Sequence, residues 1–163
     1  MVSERLRRVV SGTGAFTLTE LVVVVAVVGI MMAISVPTLW TYFRSAALRG
    51  AAEEAVALLN TARQLAIRLN TTVCITNDGT VMQYHVSTCA AAAWTGPGTD
   101  SGGAIRLSNG LALSGTNHLC FNYLGAGSAT PAPCVANGTL TVAHPTGGTM
   151  NVVMATTGRI RIQ

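Results

Sequence analysis

The sequence predicts an α+β protein: one long N-terminal helix joined to a C-terminal β-rich head. Three observations carry that prediction. No charged residue occurs from Leu21 through Phe43, a run of 23 residues. Apolar residues then recur at three- and four-residue spacing as far as Leu69. Beyond Thr71, short β-favouring runs alternate with segments rich in Gly, Pro, Ser and Thr.

Composition sets the scale. With 163 residues there is room for one modest domain plus an anchor. Half the residues are apolar and 10% are charged, which suits a membrane segment joined to a polar but uncharged head. There is no lysine, so all ten positive charges are arginine. Without residues 1–15, seven arginines and five acids remain, and the net charge falls from +4 to +2. A general polyanion-binding surface is therefore not implied.

Residues 1–15 read as a basic leader, with Arg5, Arg7 and Arg8 against Glu4. Residues 16–43 are apolar all round, and as a helix they would cross a hydrocarbon core of roughly 30 Å. Positive charge ahead of such a run places the leader in the cytoplasm and the head outside. A secretory signal peptide is the alternative. The apolar run is too long for an ordinary signal core, and Ser45-Ala46-Ala47 is the one small-residue site in the right place. The membrane-anchor reading is preferred.

Residues 44–70 form the amphipathic half of the same helix. Leu48, Ala51, Ala52, Ala55, Leu58, Leu59, Ala62, Leu65, Ala66 and Leu69 share one side. Arg49, Glu53, Asn60, Arg63 and Gln64 take the other, and Arg49 to Glu53 is an i,i+4 pair. A helix from Phe16 to Asn70 spans about 80 Å at 1.5 Å per residue. The head, residues 71–163, cannot bury that length, so the helix is expected to project. Pro37 removes one helix hydrogen bond and is expected to kink or loosen the rod. Gly29, Ala33 and Ser35 permit close helix–helix approach.

Strands are predicted at Val73–Thr76, Val81–Val86, Ala104–Leu107, Leu111–Leu113, Leu119–Asn122, Thr139–Ala143, Met150–Ala155 and Arg159–Ile162. Asn77-Asp78-Gly79-Thr80 reads as a hairpin turn. Thr95 to Gly103 and Gly125 to Pro133 read as exposed loops.

Cys74, Cys89, Cys120 and Cys134 all fall in the head. None forms a Cys-x-x-Cys pair and no histidine stands at zinc-ligand spacing, so no metal site is expected. An even number of cysteines outside the cytoplasm predicts two disulfides. Three connectivities are open. The local pairs Cys74–Cys89 and Cys120–Cys134 are preferred, each closing a loop of about 15 residues worth roughly 3 kcal/mol in the chain-entropy model.

The junction Gly14-Ala15-Phe16-Thr17-Leu18-Thr19-Glu20 and the apolar run after it resemble the processing site and N-terminal helix of type IV pilins and pseudopilins. The resemblance covers roughly residues 1–60. It implies cleavage by a prepilin peptidase between Ala15 and Phe16, methylation of the new amine, and Glu20 as the fifth mature residue. Ala15 stands where glycine is commoner, and a cut after Gly14 would move Glu20 to the sixth position. A carboxylate deep in a bilayer costs on the order of 2.5 kcal/mol or more, and inside an apolar bundle it is tolerable only when paired. The resemblance makes the partner the Phe16 amine of an adjacent pilin in the filament. The alternative leaves Glu20 at the headgroup interface.

A second resemblance lies in the head. Phe121-x-Tyr123-x-Gly125-x-Gly127-Ser128, a later apolar strand pair and the terminal Thr157-Gly158-Arg159-Ile160-Arg161 look like the GspH/FimT branch of minor pilins and pseudopilins. That branch implies antiparallel sheets packed on the helix and ending in a Gly-Arg hairpin. Its FimT-type members with Gly-Arg-x-Arg are implicated in DNA binding during uptake. The loops in the middle of the head depart from the branch.

On a strand, Arg159 and Arg161 would share one face, with Ile160 and Ile162 turned to the core and Gly158 permitting the turn. Paired guanidinium groups suit phosphate oxygens and would bind DNA without sequence preference. Two phosphate contacts give a salt slope of only about −1.8. The alternative is an edge strand whose solvated arginines discourage aggregation, as in a type II secretion pseudopilin that touches protein partners or cargo. His85, His118 and His144 lack ligand or triad motifs, Asp78 and Asp100 read as turn formers, and Trp94 as a packed aromatic. Gly125-Ala126-Gly127-Ser128 is neither a nucleophile elbow nor a phosphate loop. No catalytic residue and no cofactor are expected.

Overall fold

The computed structural model describes residues 16–107, 111–145 and 147–163. The leader, with Ala15 of the processing site, lies outside the described residues. The chain divides into two units whose boundary falls between Thr41 and Tyr42, inside the long helix.

That helix, α1, runs Leu18–Leu69. It is shorter than the sequence expectation at both ends because both ends are capped. Thr17 Oγ1 accepts from the Glu20 backbone N–H at 3.2 Å, as an N-cap does. At the other end Asn70 adopts φ 50°, its N–H reaches the Ile67 carbonyl, and the Thr71 N–H reaches the Ala66 carbonyl. This is a Schellman closure with asparagine in the left-handed position. The helical assignment continues through Pro37, while Thr38 and Thr41 hydroxyls donate to the Ile34 and Thr38 carbonyls.

In the first unit the residues of α1 are exposed on every side. The second unit holds the core. There α1 buries Leu48, Ala51, Ala52, Ala55, Leu59, Ala62, Leu65 and Ala66. Leu58 is half-buried and Leu69 is exposed, because the helix ends where the core ends. Five of the eight buried residues are alanine, so this face is thin and the facing side chains can be large. Tyr84, Phe121, Met82, Leu140 and Met154 supply the bulk. Tyr84 packs its ring in that core and donates its hydroxyl to the Leu58 carbonyl at 2.8 Å, which satisfies a helix carbonyl from a buried phenol. Burial raises the Tyr84 pKa far above its usual range.

Among the described residues eight strands follow: β1 Val73–Asn77, β2 Val81–Val86, β3 Ala104–Arg106, β4 Ala112–Gly115, β5 Leu119–Phe121, β6 Gly138–Ala143, β7 Thr149–Met154 and β8 Ile160–Ile162. All eight predicted strands are present, with ends shifted by a residue or two. They form two antiparallel sheets, ordered β3-β2-β1-β5 and β4-β6-β7-β8. Each sheet turns alternate residues inward: Met82 and Tyr84 from β2, Leu140 and Val142 from β6, Val152 and Met154 from β7. The predicted hairpin turn joins β1 to β2, with Gly79 at φ 67° and the Asp78 N–H bonded to the Val81 carbonyl.

Three expectations need correction. The segment Thr95 to Gly103 is not exposed throughout, since Gly103 is buried against Ala93 and the Trp94 carbonyl. Ile162 does not turn into the core: it is 37% exposed, because β8 reaches past the edge of the apolar layer and only Ile160 packs against it. The segment Gly125 to Pro133 is not exposed throughout. Gly125 and Ser128 are buried, since the Ser128 N–H bonds the Cys120 carbonyl and closes the segment over the end of β5.

Candidate functional site

Three places gather the residues singled out by sequence. The first is the start of α1. Glu20 stands in its first turn, where the positive end of the helix dipole favours a carboxylate. Phe16 precedes the helix and is exposed. From Leu21 to Phe43 every residue is exposed, including Val24, Ile30 and Ile34. Among the described residues this is the one helix long and apolar enough to cross a membrane. Trp40, Tyr42 and Phe43, exposed just ahead of Arg44, are the aromatic and basic residues that favour a membrane–water interface.

The second is the cysteine cluster. Cys74 bonds Cys89 and Cys120 bonds Cys134, the two preferred local pairs. Sequence spacing gives no hint that the two disulfides touch. Cys74 and Cys120 are directly paired across β1 and β5, and Cys89 Sγ lies 3.7 Å from both Cys120 Sγ and Cys134 Sγ. Beside them His85 is held in one tautomer: Nδ1–H donates to the Ala91 carbonyl at 2.7 Å, and Nε2 accepts from Thr76 Oγ1 at 3.0 Å. Its role is structural.

The third is the β7–β8 hairpin. The Ala155 N–H bonds the Arg159 carbonyl at 2.9 Å and the Gly158 N–H bonds the Ala155 carbonyl at 2.8 Å, closing a tight turn. Gly158 is required there twice over. Its φ is 78°, and a Cβ on it would collide with the Gly125 carbonyl. Gly127 is packed as closely against Ala136, and its N–H donates to the Thr156 carbonyl at 2.8 Å. The glycine pair after β5 is thus the seat on which the terminal hairpin rests, and it joins one sheet to the other. Asn122 shapes that seat: its Oδ1 accepts from both Leu124 and Ala126 N–H at 3.0 Å. Sequence reasoning passed over Asn122, although an asparagine three residues ahead of a glycine is a turn signal.

Arg159 lies just before β8 and Arg161 within it. Both are exposed, and both line one shallow depression of about 140 Å³ with Val153, Ala155 and Gln163. Neither guanidinium makes an ion pair among the described residues; the salt bridge seen is Arg49–Glu53 at 3.2 Å. β8 is the edge of its sheet, so the arginines face solvent beside an open strand. Arg63 sits beneath the same junction with its Nε buried and unpartnered, against Gly125.

The remaining candidates have structural settings. Asp100 Oδ1 accepts from Gly102 and Ala104 N–H at 2.8 Å, as a turn former. Trp94 is half-buried against Tyr84, ring centroids 6.3 Å apart. An apolar hollow beside it, lined by Leu65, Leu69, Trp94 and Pro97, contains no paired catalytic groups.

No protein-family model matches the chain. No curated protein matches it either. Solved structures do match. A crystal structure of the type IV minor pilin FimU of Pseudomonas aeruginosa (strain PAO1) superposes with a TM-score of 0.52 at 18% identity, covering 75% of this chain and 92% of that one. The same pilin in a second crystal form gives 0.48 at 20% identity, covering 71% and 92%. At such identities the likeness is one of fold. The chain has the α+β architecture of a type IV pilin, one long N-terminal helix with antiparallel sheets packed on its C-terminal half.

Proposed function

We propose that this chain is a minor pilin of a bacterial type IV pilus whose terminal arginines bind the DNA backbone during uptake. The observation that carries the first part is a combination within one chain. An apolar half-helix opening on Glu20 is exposed among the described residues, while the head shares the fold of a type IV minor pilin.

In this reading a prepilin peptidase cuts between Ala15 and Phe16. Residues 16–43 hold the subunit in the inner membrane with its head in the periplasm, and Trp40, Tyr42 and Phe43 sit at the outer interface. On assembly the span leaves lipid for a bundle of neighbouring pilins. Glu20 then needs a partner, and the Phe16 amine of an adjacent subunit supplies one. The pair fixes the axial register of the incoming subunit. Glu20→Ala is expected to leave membrane insertion intact and to reduce recovery of the subunit in sheared filaments at least tenfold. Normal recovery would remove the pairing argument.

The DNA reading rests on two exposed guanidinium groups that make no ion pair among the described residues and line one depression at a sheet edge. Each can grip phosphate oxygens with two hydrogen bonds. Two such contacts give weak binding, indifferent to sequence, with a salt slope of about −1.8. The test is binding of duplex DNA by the full chain in nanodiscs of uncharged lipid, across a salt series, beside Arg159→Gln/Arg161→Gln. Binding that disappears in the double variant supports the site. No binding at low salt by the wild-type chain would favour a secretion pseudopilin, whose head meets protein partners or cargo.

A further inference from the structure

We propose that the four head cysteines form a second, mutually exclusive site when reduced: one tetrahedral tetrathiolate site for a zinc-class divalent cation. The proposal is independent of the pilus and DNA readings.

The geometry comes first. The four Sγ atoms lie within 4.8 Å of one another. A zinc–thiolate bond is about 2.3 Å, so neighbouring sulfurs in a tetrahedral site stand about 3.8 Å apart. Cys89 already lies 3.7 Å from Cys120 and 3.7 Å from Cys134, across the two disulfides. Opening the bonds within each disulfide to the same separation needs movements on the scale of side-chain rotation, not of strands.

The scaffold that holds the sulfurs is independent of the S–S bonds. Cys74 and Cys120 are neighbours on hydrogen-bonded strands, fixed by the β1–β5 register. The loop carrying Cys89 is tied on both sides, by the Ser87 N–H to the Thr72 carbonyl at 2.8 Å and by His85 Nδ1–H to the Ala91 carbonyl at 2.7 Å. The segment carrying Cys134 is tied by the Val135 N–H to the His118 carbonyl and by the Cys120 N–H to the Val135 carbonyl. Cleaving both disulfides therefore leaves four thiols still gathered. Cys74, Cys120 and Cys134 are buried while Cys89 is half-exposed, so Cys89 is the side from which reductant and metal arrive.

The chemistry balances. A phosphine reductant supplies two electrons per disulfide, takes up oxygen from water, and leaves four thiols. Zinc-class binding then releases the four thiol protons as the thiolates coordinate. Two equivalents of a peroxide reverse the exchange: each takes two electrons and two protons to become water, the two disulfides re-form and the metal leaves. The local spacing of these cysteines gives no zinc motif, because the four ligands come from four separate segments and meet only through the fold.

The test uses the full chain in detergent, reduced anaerobically with a phosphine and titrated with cobalt(II). One cobalt per chain, with the intense visible bands of tetrahedral thiolate coordination and displacement by zinc, is expected. Cys89→Ser should lose that spectrum. Since this variant can also weaken the fold, two readouts are made on the reduced wild-type chain alone. Zinc should block alkylation of all four cysteines, and it should raise the thermal midpoint of the head while the β-sheet circular dichroism persists. Octahedral pale cobalt, alkylation unaffected by zinc, or metal binding only to a head that has lost its sheets would each overturn the proposal.

Discussion

The more apolar half of α1 is the exposed one, and the charged, amphipathic half is the one that is packed. Ahead of Thr41 every side chain is exposed; beyond Tyr42 eight are buried under the sheets. The difference lies in size and periodicity. The first half carries valine, isoleucine and methionine on all faces, which suits a surrounding of lipid or other helices and selects no single side. The second buries one stripe, five alanines and three leucines, and leaves its charged residues outside it. Small residues let two sheets approach closely enough to share one layer with the helix. Hydrophobicity therefore tells that each half wants cover, whereas the arrangement of volumes tells which kind.

The sharpest way to break this comparison is to remove equivalent bulk from each half. Leu59→Ala in the packed half should destabilise the head by about 2–5 kcal/mol, read by chemical denaturation in detergent. Val24→Ala in the exposed half should leave the same transition unmoved. Equal effects would mean that the first half contributes to the head's folding. A charge separates the halves in the other direction. Val27→Arg should disfavour membrane insertion by about 2.5–3.5 kcal/mol on the insertion scale, seen as loss from the membrane fraction, with the head's denaturation midpoint unchanged. The smallest effect belongs to the solvated face of the packed half. Arg49→Ala breaks the exposed bridge to Glu53 and should shift stability by no more than about 0.5 kcal/mol, so a larger shift would reveal a partner for Arg49 beyond that bridge.

Much of the head was legible because its signals are local. Strand pairs such as β1–β2 follow from alternation around an Asp-Gly turn, and both disulfides close short loops. The helix end at Asn70 was legible within a residue for the same reason. What stayed hidden depends on distant segments meeting. Ile162 alternates as an inward residue should, yet the apolar layer stops before it. Gly125 and Gly127 read as loop glycines until Gly158 and Ala136 are seen against them. The contact between the two disulfides likewise needs β1 beside β5, a pairing that skips three strands in the sequence. For the candidate site, the residues themselves were named from spacing, but the support beneath them was not.

That support has a consequence for how the protein can vary. The position of Arg159 and Arg161 is inherited from glycines some thirty residues upstream, whose backbone meets the hairpin through the Gly125 carbonyl against Gly158 and the Gly127 N–H on the Thr156 carbonyl. A lineage could keep both arginines and still lose their presentation by a single methyl group at Gly127, which would strike the Ala136 carbonyl, or at Gly125, whose φ of 77° disfavours any side chain. Presence of the terminal Gly-Arg-Ile-Arg is thus an incomplete marker of the site; the pair of distant glycines is its silent co-requirement.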